Sequence, residues 1–199
     1  EGGRAQASFG KYITTMDGVA QVDSVGLTTG TSDNPAITFT GEDRKRRDGD
    51  TVTLAANFGL PVGDTAYVNI TGEYKDRNPT NRSGPDIRRQ YSGIGDPRET
   101  TFDRYSHRFG DGKSEDINLF VNTGVEVGAS FELYAFGSYG NRKANGAGFY
   151  RRALDARNRD FANGGQPFYA DGFLPFIDAD IEDIAGVLGI RGETGGWNL

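Results

Sequence analysis

Arginine and aromatic side chains are the residues of this 199-residue sequence best suited to bind a ligand. Three basic groups stand in stretches without periodicity, and aromatic residues accompany the last of them. Guanidinium groups hold carboxylate or phosphate in a bidentate manner, and aromatic rings offer stacking surfaces. The residues concerned are residues 44–47, Arg88, Arg89, Tyr150, Arg151, Arg152 and Tyr169. They indicate either a surface that captures an anionic ligand or ordinary salt bridges in solvent.

Other motifs with possible chemistry are weaker. Gly112-Lys113-Ser114 ends like a phosphate-binding loop, but His107 stands where the first glycine is required. His107 is the only histidine and no G-x-S-x-G elbow occurs, so we expect no triad, no catalytic residue and no enzyme. An acidic cluster lacks the EF-hand glycine and equally fits the solvated start of a strand, which leaves calcium open. Its members are Asp178, Asp180, Glu182 and Asp183.

Composition excludes several classes of protein. The formal net charge of −6 argues against a nucleic-acid partner bound through a broad basic surface. Cysteine is absent, which excludes disulfides and thiolate metal sites. No run of about 20 apolar residues exists, so no transmembrane helix is predicted. The first four residues do not resemble a signal peptide, and we expect the numbering to begin after processing or within a longer protein.

The elements that must position these residues are β-strands. Residues 51–60 alternate between apolar and polar side chains, and residues 66–74 resume the alternation. Side chains of a strand point to opposite faces in turn, so this hairpin has one apolar and one polar face. Residues 115–125 and 130–139 form a second hairpin on the same argument. Further strands are predicted at residues 4–15, 19–27, 36–40, 183–191 and 197–199.

Short and long connections alternate along this predicted meander. Tight turns fall at residues 61–64, 126–128 and 193–196, and long polar connections at 16–50, 75–114 and 141–180. Transmembrane barrels have this asymmetry, with short periplasmic turns at one rim and long extracellular loops at the other. It favours an all-β, antiparallel transmembrane β-barrel over a soluble sandwich whose apolar face is the core. Aromatic girdles are then expected from Tyr12, Phe58, Tyr74, Phe131, Tyr139 and Trp197.

Several segments also resemble the barrel of TonB-dependent outer-membrane receptors. They are residues 2–10 (GGRAQASFG), 47–50 (RDGD), 57–63 (NFGLPVG), 72–82 (GEYKDRNPTNR), 133–139 (LYAFGSY), 148–152 (GFYRR) and 169–175 (YADGFLP). The resemblance implies the N-terminal half of a large barrel in the outer membrane of a Gram-negative bacterium. It further implies active uptake of a scarce ligand, such as a ferric siderophore or another nutrient. The TonB energy-transducing system would act on the barrel through a plug domain.

No segment resembles that plug domain or a final barrel strand. About six to seven strands are predicted, and an open sheet of that size leaves edges that lipid does not tolerate. We therefore expect residues 1–199 to be a partial β-barrel domain of a longer chain.

The resemblance also suggests where a ligand would pass. A small molecule would first meet the rim residues Arg88, Arg89, Tyr150, Arg151, Arg152 and Tyr169. It would then pass Glu73, Arg77 and Ser138 on the polar face of the strands. Membrane lipid and lipopolysaccharide are the other expected partners, and no metal site or cofactor is expected. A passive porin and a soluble β-sandwich that binds carbohydrate remain as alternatives.

Overall fold

The computed structural model describes residues 2–27 and 33–198, and it is an all-β protein. Consecutive strands are antiparallel neighbours, so seven of them form an up-and-down sheet that makes a half-barrel. The strands are β1 Gly2–Gly26, β2 Ala36–Val62, β3 Ala66–Arg77, β4 Lys113–Val127, β5 Phe131–Ala147, β6 Arg159–Asp160, β7 Gln166–Pro167, β8 Phe176–Thr194 and β9 Trp197–Asn198. β6 and β7 pair only with each other. Leu199, predicted as part of the last strand, lies outside the described residues.

Cross-strand register places the apolar positions of all the long strands on one face. Gly72 pairs with Leu119, Leu119 with Tyr139, and Tyr139 with Ile184. Paired residues of a sheet point to the same side, so each such row belongs to one face. This apolar face includes Phe9, Leu54, Phe58, Leu60, Ile70, Leu119, Val121, Leu133, Ile184, Leu188 and Ile190, all of them exposed. The alternation predicted from the sequence is confirmed in every one of these strands.

The distribution of buried side chains is the opposite of that in a water-soluble domain, with apolar side chains exposed and polar side chains buried. Leu188 on the apolar face is 78% exposed and Ile184 is 73% exposed. Within the described residues, the buried hydrophobic side chains are Met16, Tyr91 and Ala153. The other buried side chains are polar: Arg44, Asp48, Thr80, Ser83, Asp86, Gln90, Glu99, Arg104, Ser114, Asp116 and Asn158. A soluble domain of this length would instead bury most of its large apolar side chains.

The first hairpin differs most from its prediction. β1 has 25 residues and β2 has 27, more than twice the lengths predicted at residues 4–15 and 51–60. Together they take up most of the stretch predicted as a long polar connection, so that prediction was wrong, whereas the short strands predicted at residues 19–27 and 36–40 fall within β1 and β2 apart from residue 27. The basic residues at positions 44–47 therefore lie within β2 and not in a loop.

A bulge sets which side chains of this extension face inward. The register shifts by one residue near Gly49, whose φ of 70° suits glycine. Tyr12 then pairs with Asp48 and Met16 with Arg44, which turns Asp48 and Arg44 toward the polar face of the sheet. The charged run thus becomes an alternating strand, with Asp48 and Arg44 both buried.

The predicted asymmetry of the other connections is confirmed. Short turns cover residues 63–65, 128–130 and 195–196, whereas residues 78–112 and 148–175 form long connections. Successive strands run in opposite directions, so both long connections lie at the same end of the sheet. They are called loop A (78–112) and loop B (148–175) below. Two predicted girdle residues are misplaced: Phe58 lies in the middle of the apolar stretch of β2, and Tyr12 pairs with Asp48 on the polar face.

Candidate functional site

Loop A is fastened to the polar face of the first hairpin through charged groups. The buried carboxylate of Asp48 accepts hydrogen bonds from Arg82 Nη1 at 2.9 Å and from the backbone N–H of Asn81 at 2.9 Å. Burial alone would raise the pKa of Asp48, but these hydrogen bonds hold the pKa below its ordinary value. The Arg44 guanidinium lies 3.7 Å from the centre of the Tyr105 ring. Loop A therefore lies on the polar side of the sheet.

A buried ion pair organises the interior of loop A. Glu99 and Arg104 have side chains that are 3% and 2% exposed, and Arg104 Nη2 donates to Glu99 Oε2 at 2.6 Å. Glu99 Oε1 also accepts the backbone N–H groups of Gln90 at 2.7 Å and Tyr91 at 3.0 Å. The two charges thus pair with each other in the interior of the loop, although Arg104 Nε has no acceptor, and the segment between them is fixed.

A second charged group surrounds the single histidine. Arg88 binds the buried Asp86 with both Nε and Nη2, at 2.8 Å and 2.7 Å. Burial alone would raise the pKa of Asp86, but these hydrogen bonds hold it below its ordinary value. His107 Nδ1 lies 3.9 Å from Asp86 Oδ2, and burial lowers the pKa of His107 below its ordinary value. Asp86 therefore stays ionised beside a neutral imidazole.

Loops A and B are joined to each other. Tyr91 donates its hydroxyl to Asp171 Oδ1 at 2.7 Å, and burial followed by this hydrogen bond raises the pKa of Tyr91. Arg152 Nη1 donates to the Arg89 carbonyl at 2.9 Å, and the backbone N–H of Leu154 donates to the Gln90 carbonyl at 3.0 Å. Since each contact crosses between the two loops, they form one cap at this end of the sheet.

Loop B has its own polar centre. Asn158 is fully buried, and its Nδ2 donates to the Tyr169 carbonyl at 2.8 Å while its Oδ1 accepts the Tyr169 N–H at 3.0 Å. The backbone of Arg151 bridges to Phe173. These contacts close loop B on itself.

A chain of aromatic rings in contact runs through both loops. Neighbouring ring centres are 5.3–6.2 Å apart, within the range for favourable aromatic pairs. The chain starts at the buried Tyr91 and ends at the exposed Phe149. Its order is Tyr91, Phe102, Tyr150, His107, Phe109 and Phe149. Burial raises the pKa of Tyr150 to about 12, so its hydroxyl is neutral at physiological pH.

All six predicted rim residues lie in the two loops, but several are already engaged. Arg88 is committed to Asp86, and Arg89 Nη1 lies 3.9 Å from Asp33. Arg152 supports the contact between the loops. Tyr150 donates to the Asp171 carbonyl at 2.6 Å, and the exposed Tyr169 ring packs 4.8 Å from Phe173. Among the described residues, the Arg151 side chain alone of these arginines has no hydrogen-bond or ion-pair partner.

The predicted strand residues share the polar face but form two groups. Glu73 and Ser138 line one shallow concavity of about 350 Å³ together with Asn118, Phe120 and Asp183. Arg77 lies four residues further along β3, opposite Ser114 and Thr51, and does not line this concavity. The structure therefore brings Glu73 and Ser138 together and separates Arg77 from them.

The acidic cluster does not converge on one point. Asp178 accepts from Asn145 Nδ2 at 2.6 Å, and Asp180 accepts from Asn141 Nδ2 at 3.0 Å. Asp183 points to the face opposite that of Asp178 and Asp180, because residues an odd number apart in a strand face opposite ways. In the described part of the chain, no group of three acidic or histidine side chains has the geometry of a metal site. The solvated start of a strand is the interpretation that fits these positions.

Sequence reasoning missed the polar residues that hold the loops together. Asp86, Glu99, Arg104, Asn158 and Asp171 are the main ones, and none belongs to a familiar motif. One local signal was available, since Asp-x-Arg occurs at positions 86–88, 96–98 and 155–157. In each case the aspartate accepts the backbone N–H of the arginine two residues later, which is an Asx turn.

The pH dependence of loop A is expected to follow His107. An opened loop restores the ordinary pKa near 6.5, so below that pH the open form binds a proton that the closed form resists. The closed form therefore loses stability as the pH falls and regains it above the unfolded pKa. The hydrogen-exchange rate of residues 104–109, corrected for intrinsic rates, should therefore be higher at about pH 5.5 than at about pH 7.5. His107→Gln should remove this difference, and a difference that persists in the variant would contradict the assignment.

Comparison with known proteins adds no family to this description. No protein-family model matches the chain, and neither does any curated protein or solved structure at a significant level. Fold and site together define an antiparallel up-and-down half-barrel whose two long loops are joined at one end. None of the helices among the described residues is long and apolar enough to cross a membrane.

Proposed function

We propose that this chain is part of an outer-membrane β-barrel receptor that takes up a scarce small molecule with energy from the TonB system. The observation that carries the membrane half of this proposal is the exposed apolar face. Large apolar side chains cover it across six neighbouring strands, and no second sheet packs on it within the described residues. In water such a surface would drive aggregation, whereas lipid solvates it. A soluble sandwich would require that face to be covered.

The dimensions of the apolar face support the same proposal. It extends along β2 from Leu54 to Val62, which is about 26 Å along the strand and about 20 Å along a barrel axis at the usual tilt. Outer-membrane barrels have an apolar band about 25 Å tall. Toward the loops, the next row of this face is charged on β3, β4, β5 and β8, where it consists of Asp76, Glu115, Lys143 and Asp180, and it remains apolar on β1 and β2, with Phe9 and Val52. Tyr74 lies at that boundary, where aromatic girdles are found.

The loops favour a receptor over a passive porin. Loop A is attached to polar-face residues and is joined to loop B, so the two together extend over what would be the lumen. A general porin needs an open channel, whereas a receptor needs a preformed surface at the mouth. The exposed Phe109, Phe149 and Tyr169 and the unpartnered Arg151 supply such a surface. Binding would be non-covalent and would involve no catalytic residue.

The proposal is tested with the full-length protein in a Gram-negative host. We expect it in the outer-membrane fraction, soluble only with detergent. Cells that express it should accumulate ⁵⁵Fe from at least one member of a panel of ferric siderophores. An uncoupler should stop uptake and leave surface binding intact. Uptake that continues without energy would favour a porin, and a protein soluble without detergent would contradict both membrane functions.

Arg151 and Arg152 should behave differently although they are neighbours. Arg152→Ala removes a charged hydrogen bond between the loops, so hydrogen exchange at Gln90 and Leu154 should accelerate by roughly tenfold. Arg151→Ala removes no side-chain contact, so it is the matched control and should leave this exchange unchanged. Both variants should assemble normally in the membrane, because both residues lie in loop B. Equal acceleration in the two variants would contradict this role of Arg152.

A further inference from the structure

The polar face of the sheet carries two cationic side chains without partners. Lys75 pairs with Thr53 and Asp116 in the sheet register, and Arg77 pairs with Thr51 and Ser114. Both lie on the same face, two residues apart on β3, which is about 7 Å along the strand. Among the described residues neither side chain has an ion-pair partner, since Asp116 is bound by Arg142 instead.

Arg77 is unusual among the arginines of this chain. Most of the others bind a carboxylate or a carbonyl, as Arg82, Arg88 and Arg104 do. The Nε atom of Arg77 is buried and has no hydrogen-bond partner. The Nε atoms of Arg46, Arg104 and Arg152 share this state, but those three side chains make other polar contacts, whereas among the described residues Arg77 makes none. A buried donor without an acceptor is destabilising, and a group outside the chain, such as an anion, can supply the missing acceptor. Arg47, Arg151 and Arg157 also lack partners, but none of their side-chain nitrogen atoms is a buried donor.

We propose that Lys75, Arg77 and Ser114 form a binding site for an anionic group of a small molecule. This inference rests on the proposed function, because it takes the polar face as a water-filled lumen. Lys75 and Arg77 contribute two positive charges and Ser114, which is 7% exposed, contributes a hydroxyl with no other partner. A guanidinium and an ammonium at this spacing match a carboxylate or a phosphate, which accept several hydrogen bonds at once.

The neighbouring positions suggest which way such a ligand would lie. Toward the short turns, the next positions on this face are acidic or amide: Glu73, Asn118 and Asp183 in the concavity of about 350 Å³. An anionic group is attracted by Lys75 and Arg77 and repelled by Glu73 and Asp183. The anion would therefore stop on the loop side of the concavity, with neutral or cationic parts of the ligand reaching into it.

The test is isothermal titration calorimetry on the detergent-solubilised full-length protein at constant ionic strength. Citrate and pyrophosphate serve as carboxylate and phosphate probes, and the tighter of the two identifies the class of anion. Arg77→Met and Lys75→Met should each weaken binding of that probe by roughly tenfold or more. Arg77→Lys keeps the charge and should lose less, which guards against a variant that misfolds. Arg47→Gln, on the opposite face of β2, removes the same charge and should bind like the wild type.

Three results would overturn the site. The first is no binding heat from either probe up to about 10 mM. The second is an unchanged affinity in Arg77→Met. The third is an equal loss of affinity in Arg47→Gln, because this would reflect net charge alone. Failure of the proposed function is a separate outcome, because binding in detergent does not require uptake. A protein that binds citrate through Arg77 but shows no energy-dependent transport would contradict only the transport proposal. Uptake that is insensitive to Arg77→Met would contradict only this site.

Discussion

Leu119→Arg is expected to abolish assembly of the sheet in a membrane. Leu119 lies on the apolar face between Gly72 and Tyr139 and is 48% exposed. An arginine there would face lipid near the middle of the apolar band, at a cost of about 2–4 kcal/mol in the free energy of folding. That is a large part of the total stability of a protein domain. The folded fraction, read from heat-modifiable migration on gels and from unfolding titrations in lipid vesicles, should fall accordingly.

The matched control is the next residue on the same strand. Asn118 points to the opposite face, beside Glu73, where an arginine would meet water and a carboxylate. Asn118→Arg should therefore assemble almost as well as the wild type. Equal losses for the two variants would contradict the membrane assignment of the apolar face, because lipid tolerates a charge far less than the polar face does. A larger loss for Asn118→Arg would indicate that the polar face is the packed one.

Arg104→Met should open loop A. The substitution leaves the Glu99 carboxylate buried without its counter-charge, although the N–H groups of Gln90 and Tyr91 still contact it. Removing one partner of a buried ion pair costs about 3–5 kcal/mol. Hydrogen-exchange protection in residues 86–104 should then be largely lost, while β3 and β4 keep theirs because their ladders do not depend on this pair.

Arg98 provides the comparison for this effect. It binds Asp96 at 2.8 Å, close to Glu99 in the chain, but its side chain is 50% exposed. Exposed pairs contribute little, so Arg98→Met should leave exchange in loop A nearly unchanged. If the two variants behaved alike, the ion pair of Glu99 and Arg104 would not be what organises the loop. Loss of protection in β3 and β4 as well would mean that loop A and the sheet unfold together.

The exposed aromatic surface of the cap depends on this organisation. Tyr91 starts the chain of rings, and its backbone N–H is held by Glu99. Opening loop A should therefore also release the contact between Tyr91 and Asp171 in loop B. In the proposed receptor, Arg104→Met would weaken ligand binding although Arg104 itself is buried and meets no ligand.

The strands and their faces could be read from the amino-acid sequence alone. Alternation with a period of two is a local property, so the apolar sets of β2, β3, β4, β5 and β8 were readable without any knowledge of pairing. The turn residues were readable for the same reason, since Gly63 and Gly128 adopt a left-handed φ that few other residues accept. The seven-stranded, antiparallel half-barrel follows from these local features. Its transmembrane placement remains a prediction.

The partners of the charged residues, in contrast, could not be read from the sequence. The run at positions 42–48 reads as a solvated loop, yet a bulge at Gly49 and the partners Arg82 and Tyr105 bury two of its side chains. Arg88 and Arg152 read as free for a ligand, but the fold supplies them with an aspartate and a carbonyl. Arg77, which looks no different in sequence, is left without a partner. A charge is satisfied by groups distant in the chain, and such groups are known only once the chain has folded.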